Sequence, residues 1–164
     1  RRLELDVNKV DKDHHDHFLN GAIFEVYDKT IDSYVTTLAS GQLMITGEDK
    51  GEEYEISKKE DISKVIKTVK TDENKQIVLD IDDGTYYSRK VGDDKVTKHV
   101  VKDGKAVLVD AIYGHEYEFK EIKAPTSYQL ADKSKAYKVE ADKETDTIIY
   151  YFENARIVVP NTGV

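Results

Sequence analysis

Lys9, Glu121 and Asn154 bring an amine, a carboxyl and a carboxamide to places where three separate strands should point into an apolar core. Side chains alternate faces along a strand, so parity gives each residue a direction. Leu3, Leu5 and Val7 form one apolar face, and Lys9 falls next in line. Tyr117 and Phe119 lead to Glu121 in the same way, and Ile148, Tyr150 and Phe152 lead to Asn154. Each of these groups is costly to bury alone and is tolerated only where the three satisfy one another. So grouped, they can also react. The bland alternative is a buried Lys–Glu ion pair capped by the asparagine amide, which adds little net stability over an apolar replacement.

The elements that must position these residues read as strands. Alternating Val, Ile, Thr and Tyr runs are separated by Gly-, Asp- and Asn-rich turns, which predicts an all-β sandwich. Strands are expected near 3–10, 22–27, 34–38, 42–46, 76–81, 85–91, 95–102, 105–112, 116–122, 135–140 and 147–154. Residues 57–70 break the alternation, because Ile62, Val65, Ile66 and Val69 recur at i, i+3, i+4 and i+7. With Ser57 and Glu60 as a capping box, that spacing predicts one amphipathic helix near 58–70. The 164 residues suffice for one domain over 1–155 followed by a tail over 156–164.

Net charge −8 disfavours a nucleic-acid partner and direct docking on an anionic membrane. The chain has no cysteine, which removes disulfides, thiolate zinc sites and cysteine nucleophiles. The Arg1-Arg2 start, with no signal peptide or membrane span, reads as a fragment of a longer protein.

Three segments, in order, resemble the Cna B-type domain, the immunoglobulin-like, isopeptide-forming domain of Gram-positive sortase-anchored pilins and adhesins. Asp6-Val7-Asn8-Lys9-Val10-Asp11 followed by Leu19-Asn20-Gly21-Ala22-Ile23-Phe24 is similar to the family's lysine strand and its L-x-G-A-x-F strand. The run from Tyr117 to Tyr128 is similar to its E-box, Y-x-L-x-E-x-x-A-P-x-G-Y. Phe152-Glu153-Asn154 resembles its closing strand. Phe119 replaces the usual leucine, and Ser127 stands where the family has glycine, so a turn needing positive φ would be mildly strained there. Residues 28–105 have no counterpart and read as an insertion that includes the helix.

The resemblance implies an immunoglobulin-like β-sandwich and a spontaneous isopeptide bond between the Lys9 amine and the Asn154 side chain, with Glu121 as its catalyst. Burial would free the lysine lone pair and push the carboxyl towards its neutral form. A neutral Glu121 would donate a hydrogen bond to the Asn154 carbonyl oxygen and relay protons to departing ammonia. This is single-turnover chemistry, not an enzyme activity. It would tie the first strand to the last without a reducible bond.

Val159-Pro160-Asn161-Thr162-Gly163 resembles the sortase sorting signal L-P-x-T-G. That likeness implies sortase as a partner, cleavage between Thr162 and Gly163, and transfer to peptidoglycan or to a lysine of another pilin subunit. It also implies an extracellular, wall-anchored or pilus location, with cell adhesion and virulence as the setting. The chain's two prolines, Pro125 and Pro160, do not precede lysines, so a Y-P-K-type acceptor lysine is not expected within it. An alternative reading is a ligand-binding adhesin module whose 28–105 insertion contacts a host surface or matrix protein. No cofactor and no metal are expected. Asp11, Asp13, His14, His15, Asp16 and His17 read as a solvated loop, and Asp80, Asp82 and Asp83 as turn residues without EF-hand spacing.

Overall fold

A computed structural model describes residues 1–140 and 145–159. Thirteen strands follow in chain order: β1 Arg2–Asp11, β2 Ile23–Asp28, β3 Ser33–Ala39, β4 Leu43–Thr46, β5 Glu53–Ser57, β6 Val65–Lys70 and β7 Gln76–Leu79. They continue with β8 Gly84–Lys90, β9 Val96–Val101, β10 Lys105–Ile112, β11 Glu116–Lys123, β12 Lys135–Lys138 and β13 Thr147–Asn154.

Two of the sheets form a sandwich. One has the order β10-β1-β13 and the other β12-β11-β2-β3. Leu5 and Val7 of β1 and Phe152 of β13 meet Phe24 of β2 and Phe119 of β11 in one core. Phe24 packs edge-on against Phe152 at 4.9 Å and Phe119 at 5.7 Å, geometries favoured by the aromatic quadrupole. The fold is thus all-β, consistent with the expected immunoglobulin-like sandwich.

The first and last strands lie side by side and parallel, in register from Glu4 opposite Thr147 to Asp11 opposite Asn154. Parallel pairing needs a long crossover, and here nearly the whole chain supplies it.

The stretch between β3 and β10, most of the expected insertion, is also built of strands. It contains a β4-β7 pair and a β6-β5-β8-β9 sheet around its own core of Leu43, Ile45, Ile56, Ile77, Tyr86 and Val101. Its two ends meet at one place. Gly41 N–H donates to the Lys105 carbonyl at 2.9 Å, and Gly104 N–H donates to Asn20 Oδ1 at 2.7 Å. At φ +67, a Cβ on Gly41 would lie 1.9 Å from Asn20 Oδ1, so only glycine fits that junction.

The helix expected near 58–70 is absent: this segment is a turn followed by β6, and no described residue is helical. Ser57, the anticipated cap, instead donates to the Lys64 carbonyl and accepts the Lys59 N–H, closing a turn. Ile62 closes it at φ 55, outside helical space. Val65 and Ile66, expected on a buried helix face, are 44% exposed on the edge strand. Their β-branched side chains suit a strand, and β6 finds a partner in β5, which the alternation had not revealed.

Candidate functional site

Lys9, Glu121 and Asn154 come together, all buried, at 0%, 4% and 2% exposure. Lys9 sits opposite Phe152 on the neighbouring strand, so Asn154 is its diagonal neighbour two residues further along the same inward face. Glu121 belongs to the facing sheet, where it pairs with Phe24, and its side chain bridges the gap between the layers. Beyond β11 the chain turns at Pro125–Tyr128 and lays residues 124–131 over this end of the sandwich.

The Asn154 amide is held by name. Nδ2 donates to Glu121 Oε1 at 2.7 Å and to the Gln129 carbonyl at 2.8 Å. A carbonyl can only accept, so Gln129 fixes which end of the amide faces it. Glu121 therefore meets the amide nitrogen, whereas the sequence reading placed it at the carbonyl oxygen. Glu121 Oε1 also accepts the Ala131 N–H at 2.9 Å. Glu121 Oε2 and Asn154 Oδ1 are buried without partners, an expensive arrangement for an ionised carboxylate. With Oε1 already accepting two N–H groups, the proton of a neutral Glu121 belongs on Oε2.

The electrostatics point the same way. Burial pulls the Lys9 amine down from 10.5 to about 8, and the Glu121, Glu153 and Asp11 carboxylates only partly oppose it. Burial raises Glu121, against the lowering effects of the Ala131 N–H, the Asn154 amide and Lys9. Both groups move towards their neutral forms. Lys9 Nζ donates to the Phe152 carbonyl at 2.9 Å, and among the described residues it makes no ion pair with Glu121. The charge of Glu121 still favours the protonated amine, without a direct contact between the two side chains.

A second polar group lies one step outward. Tyr128 Oη donates to Asp11 Oδ2 at 2.6 Å and Arg156 Nε donates to the same oxygen at 3.0 Å. Sequence reading placed Asp11 in a solvated loop, yet it is 1% exposed and ends β1. Parity carries the signal: Asp11 follows Lys9 on the inward face of β1. Ser127 has φ 72, the strain anticipated from its glycine-like position. Ser127→Gly is expected to raise stability by roughly 0.5–1 kcal/mol, read from the denaturant midpoint at unchanged slope.

Elsewhere, His15 of the polar loop bonds Glu153 at 2.6 Å and stacks on Tyr151. No group of three His, Cys, Asp or Glu side chains among the described residues is placed to hold a metal. Val159, the first residue of the sorting motif, is 80% exposed, and Pro160, Asn161, Thr162 and Gly163 lie outside the described residues.

A family model for the SpaA prealbumin-like fold domain matches residues 87–156, the stretch that holds both Glu121 and Asn154. No curated protein matches the chain. In structure it is similar to a minor pilin of the Gram-positive pathogen Streptococcus agalactiae (20% identity, TM-score 0.44, 99% of this chain and 48% of that one). It is also similar to the group B streptococcus pilus 2b backbone protein (20%, 0.45, 95% and 42%). A third similar structure is two domains of the major pilin SpaD of Corynebacterium diphtheriae (18%, 0.39, 94% and 47%). The chain spans less than half the length of these three. Residues 87–156 match the SpaA prealbumin-like domain family, in agreement with the resemblance to Cna B-type pilin domains carried by the sequence.

Proposed function

We propose that this chain is a structural domain of a Gram-positive pilin or wall-anchored adhesin, stapled by an isopeptide bond between Lys9 and Asn154. The observation that carries this reading is the buried Glu121–Asn154 hydrogen bond, set diagonally across the sheet face from a lysine that burial drives towards neutrality. The neutral Lys9 Nζ attacks Asn154 Cγ. A proton passes from Nζ by way of Glu121 to Nδ2, the Cγ–Nδ2 bond breaks, and ammonia leaves. One amide replaces another, and Glu121 ends as it began. Pre-organisation by the fold provides the effective concentration that two free side chains would lack.

The staple would carry tension directly between β1 and β13, sparing the chain between them. Attachment would follow at Val159-Pro160-Asn161-Thr162-Gly163, with sortase cleaving after Thr162. Val158 and Val159, where that segment begins, are 79% and 80% exposed.

Intact mass tests the staple. The wild-type chain is expected to weigh one ammonia less than its sequence, and a Glu121→Ala chain to show the full mass. A wild-type chain at full mass would sink the reading.

A further inference from the structure

We propose that Asp11, Tyr128 and Arg156 form a positioning latch that holds the 124–131 loop over Asn154, so that crosslinking waits for the last strand to dock. This rests on the stapled reading above.

The latch residues track the reacting ones. Asp11 lies two residues beyond Lys9 on β1, and Arg156 lies two residues beyond Asn154. Asp11 is itself the registered partner of Asn154. Tyr128 belongs to the loop that follows Glu121, and it pairs with Arg156 as an isolated bridge. Two elements of the reactive site thus send one residue each to a carboxylate carried by the third. The backbone repeats the connection: Gln129 N–H donates to the Ala155 carbonyl at 2.8 Å, and Ile157 N–H donates to Ser127 at 3.0 Å. Gln129 and Ala131, which grip Asn154 Nδ2 and Glu121 Oε1, follow Tyr128 directly along the chain. Releasing Tyr128 therefore removes one tie on the loop whose Gln129 carbonyl orients the departing nitrogen.

The contacts are unequal. The Asp11 and Tyr128 side chains meet in the interior, and Asp11 Oδ1 is also taken by the Asp13 N–H at 2.8 Å. The Arg156 side chain is 60% exposed, so its pairing is screened and contributes less. The Tyr128 hydroxyl is thus the critical member. A loose loop would let the amide swing, and small misplacements of reacting groups are expensive in rate. Because Arg156 joins only after β13 lies beside β1, the same contact couples the reaction to native register.

The test follows ammonia loss over time in chains made by cell-free translation, quenched in acid and weighed at intervals. All measurements are made well below the unfolding midpoints, so that every chain compared is folded. Tyr128→Phe keeps the ring and loses the hydroxyl. It is expected to slow the first-order loss about tenfold or more. Arg156→Ala should slow it less, and Arg156→Lys should restore part of the difference. If Tyr128→Phe does not fold, Asp11→Asn replaces it, with the same slowing expected. A purely structural contact would lower the unfolding midpoint of a Glu121→Gln chain without altering the rate in folded chains. Wild-type rates in folded Tyr128→Phe and Asp11→Asn would overturn the latch and leave the staple standing. A wild-type chain that never loses ammonia would overturn both.

Discussion

Wild-type chain is expected to unfold about 10–20 °C above a Glu121→Gln chain of otherwise identical structure. The proposed staple would join Lys9 to Asn154 and close a loop of almost the entire sequence. Treated like a disulfide of that span, it removes unfolded-state entropy worth about 5 kcal/mol. For a chain of this size each kcal/mol moves the midpoint by about 2–4 °C, which gives the range. Glu121→Gln preserves the side-chain shape, so the change reports the missing bond more than altered packing. Asn154→Ala removes the electrophile and should fall by a similar amount. The double variant should fall little further, because both changes abolish one bond. Calorimetry of the three chains decides the matter. Coincident midpoints for wild type and Glu121→Gln, at masses differing by one ammonia, would show that the staple forms but contributes nothing to stability.

In the unstapled Glu121→Gln chain, Lys9→Met is expected to increase stability at pH 7 by about 3 kcal/mol. Burial lowers the Lys9 amine from 10.5 to about 8 in the folded chain. At about 1.4 kcal/mol per pH unit, that difference is the penalty for folding around a protonated amine. The folded state binds fewer protons than the unfolded state between those two values, so stability rises with pH across that window. The penalty is complete below about 8 and gone by about 10.5. Removing the Glu121 carboxylate, which favours the charged amine, widens the window downward. The advantage of methionine should therefore shrink as pH rises from 8 and vanish near 10.5. Denaturant titrations of the two chains across that range measure it. A pH-independent gap would mean that Lys9 is not held in an apolar site. Once the staple forms, the amine no longer titrates, and wild type should lack this dependence.

Parity made the three candidate site residues legible. Lys9, Glu121 and Asn154 each continued an apolar face, and the fold places all three inside. The pairing that unites them was less accessible, because nothing in the β1 or β13 sequence states that these strands lie parallel. The 28–105 stretch stood apart in the sequence, but its helical content was misread. Ile62, Val65, Ile66 and Val69 satisfy a helical spacing, yet three of them are placed by a turn and an exposed edge. Short β-branched runs satisfy both periods, and tertiary pairing chose the strand. Asp11 was missed for a simpler reason. It stands beside His14, His15 and His17, and composition suggested solvent where alternation pointed inward.

The shared doorway of the insertion has a consequence for how such a domain can diversify. Its entry and exit meet at Gly41 and Lys105, with Asn20 bonded to both Gly104 N–H and the Asp103 carboxylate. Because it has its own core, its surface can drift, or the module can be exchanged for another of different length. The proposed crosslink site borders the other core, around Phe24, Phe119 and Phe152, which shares no residue with the core of that module. Two separate cores therefore allow substitutions in one to leave the packing of the other unchanged.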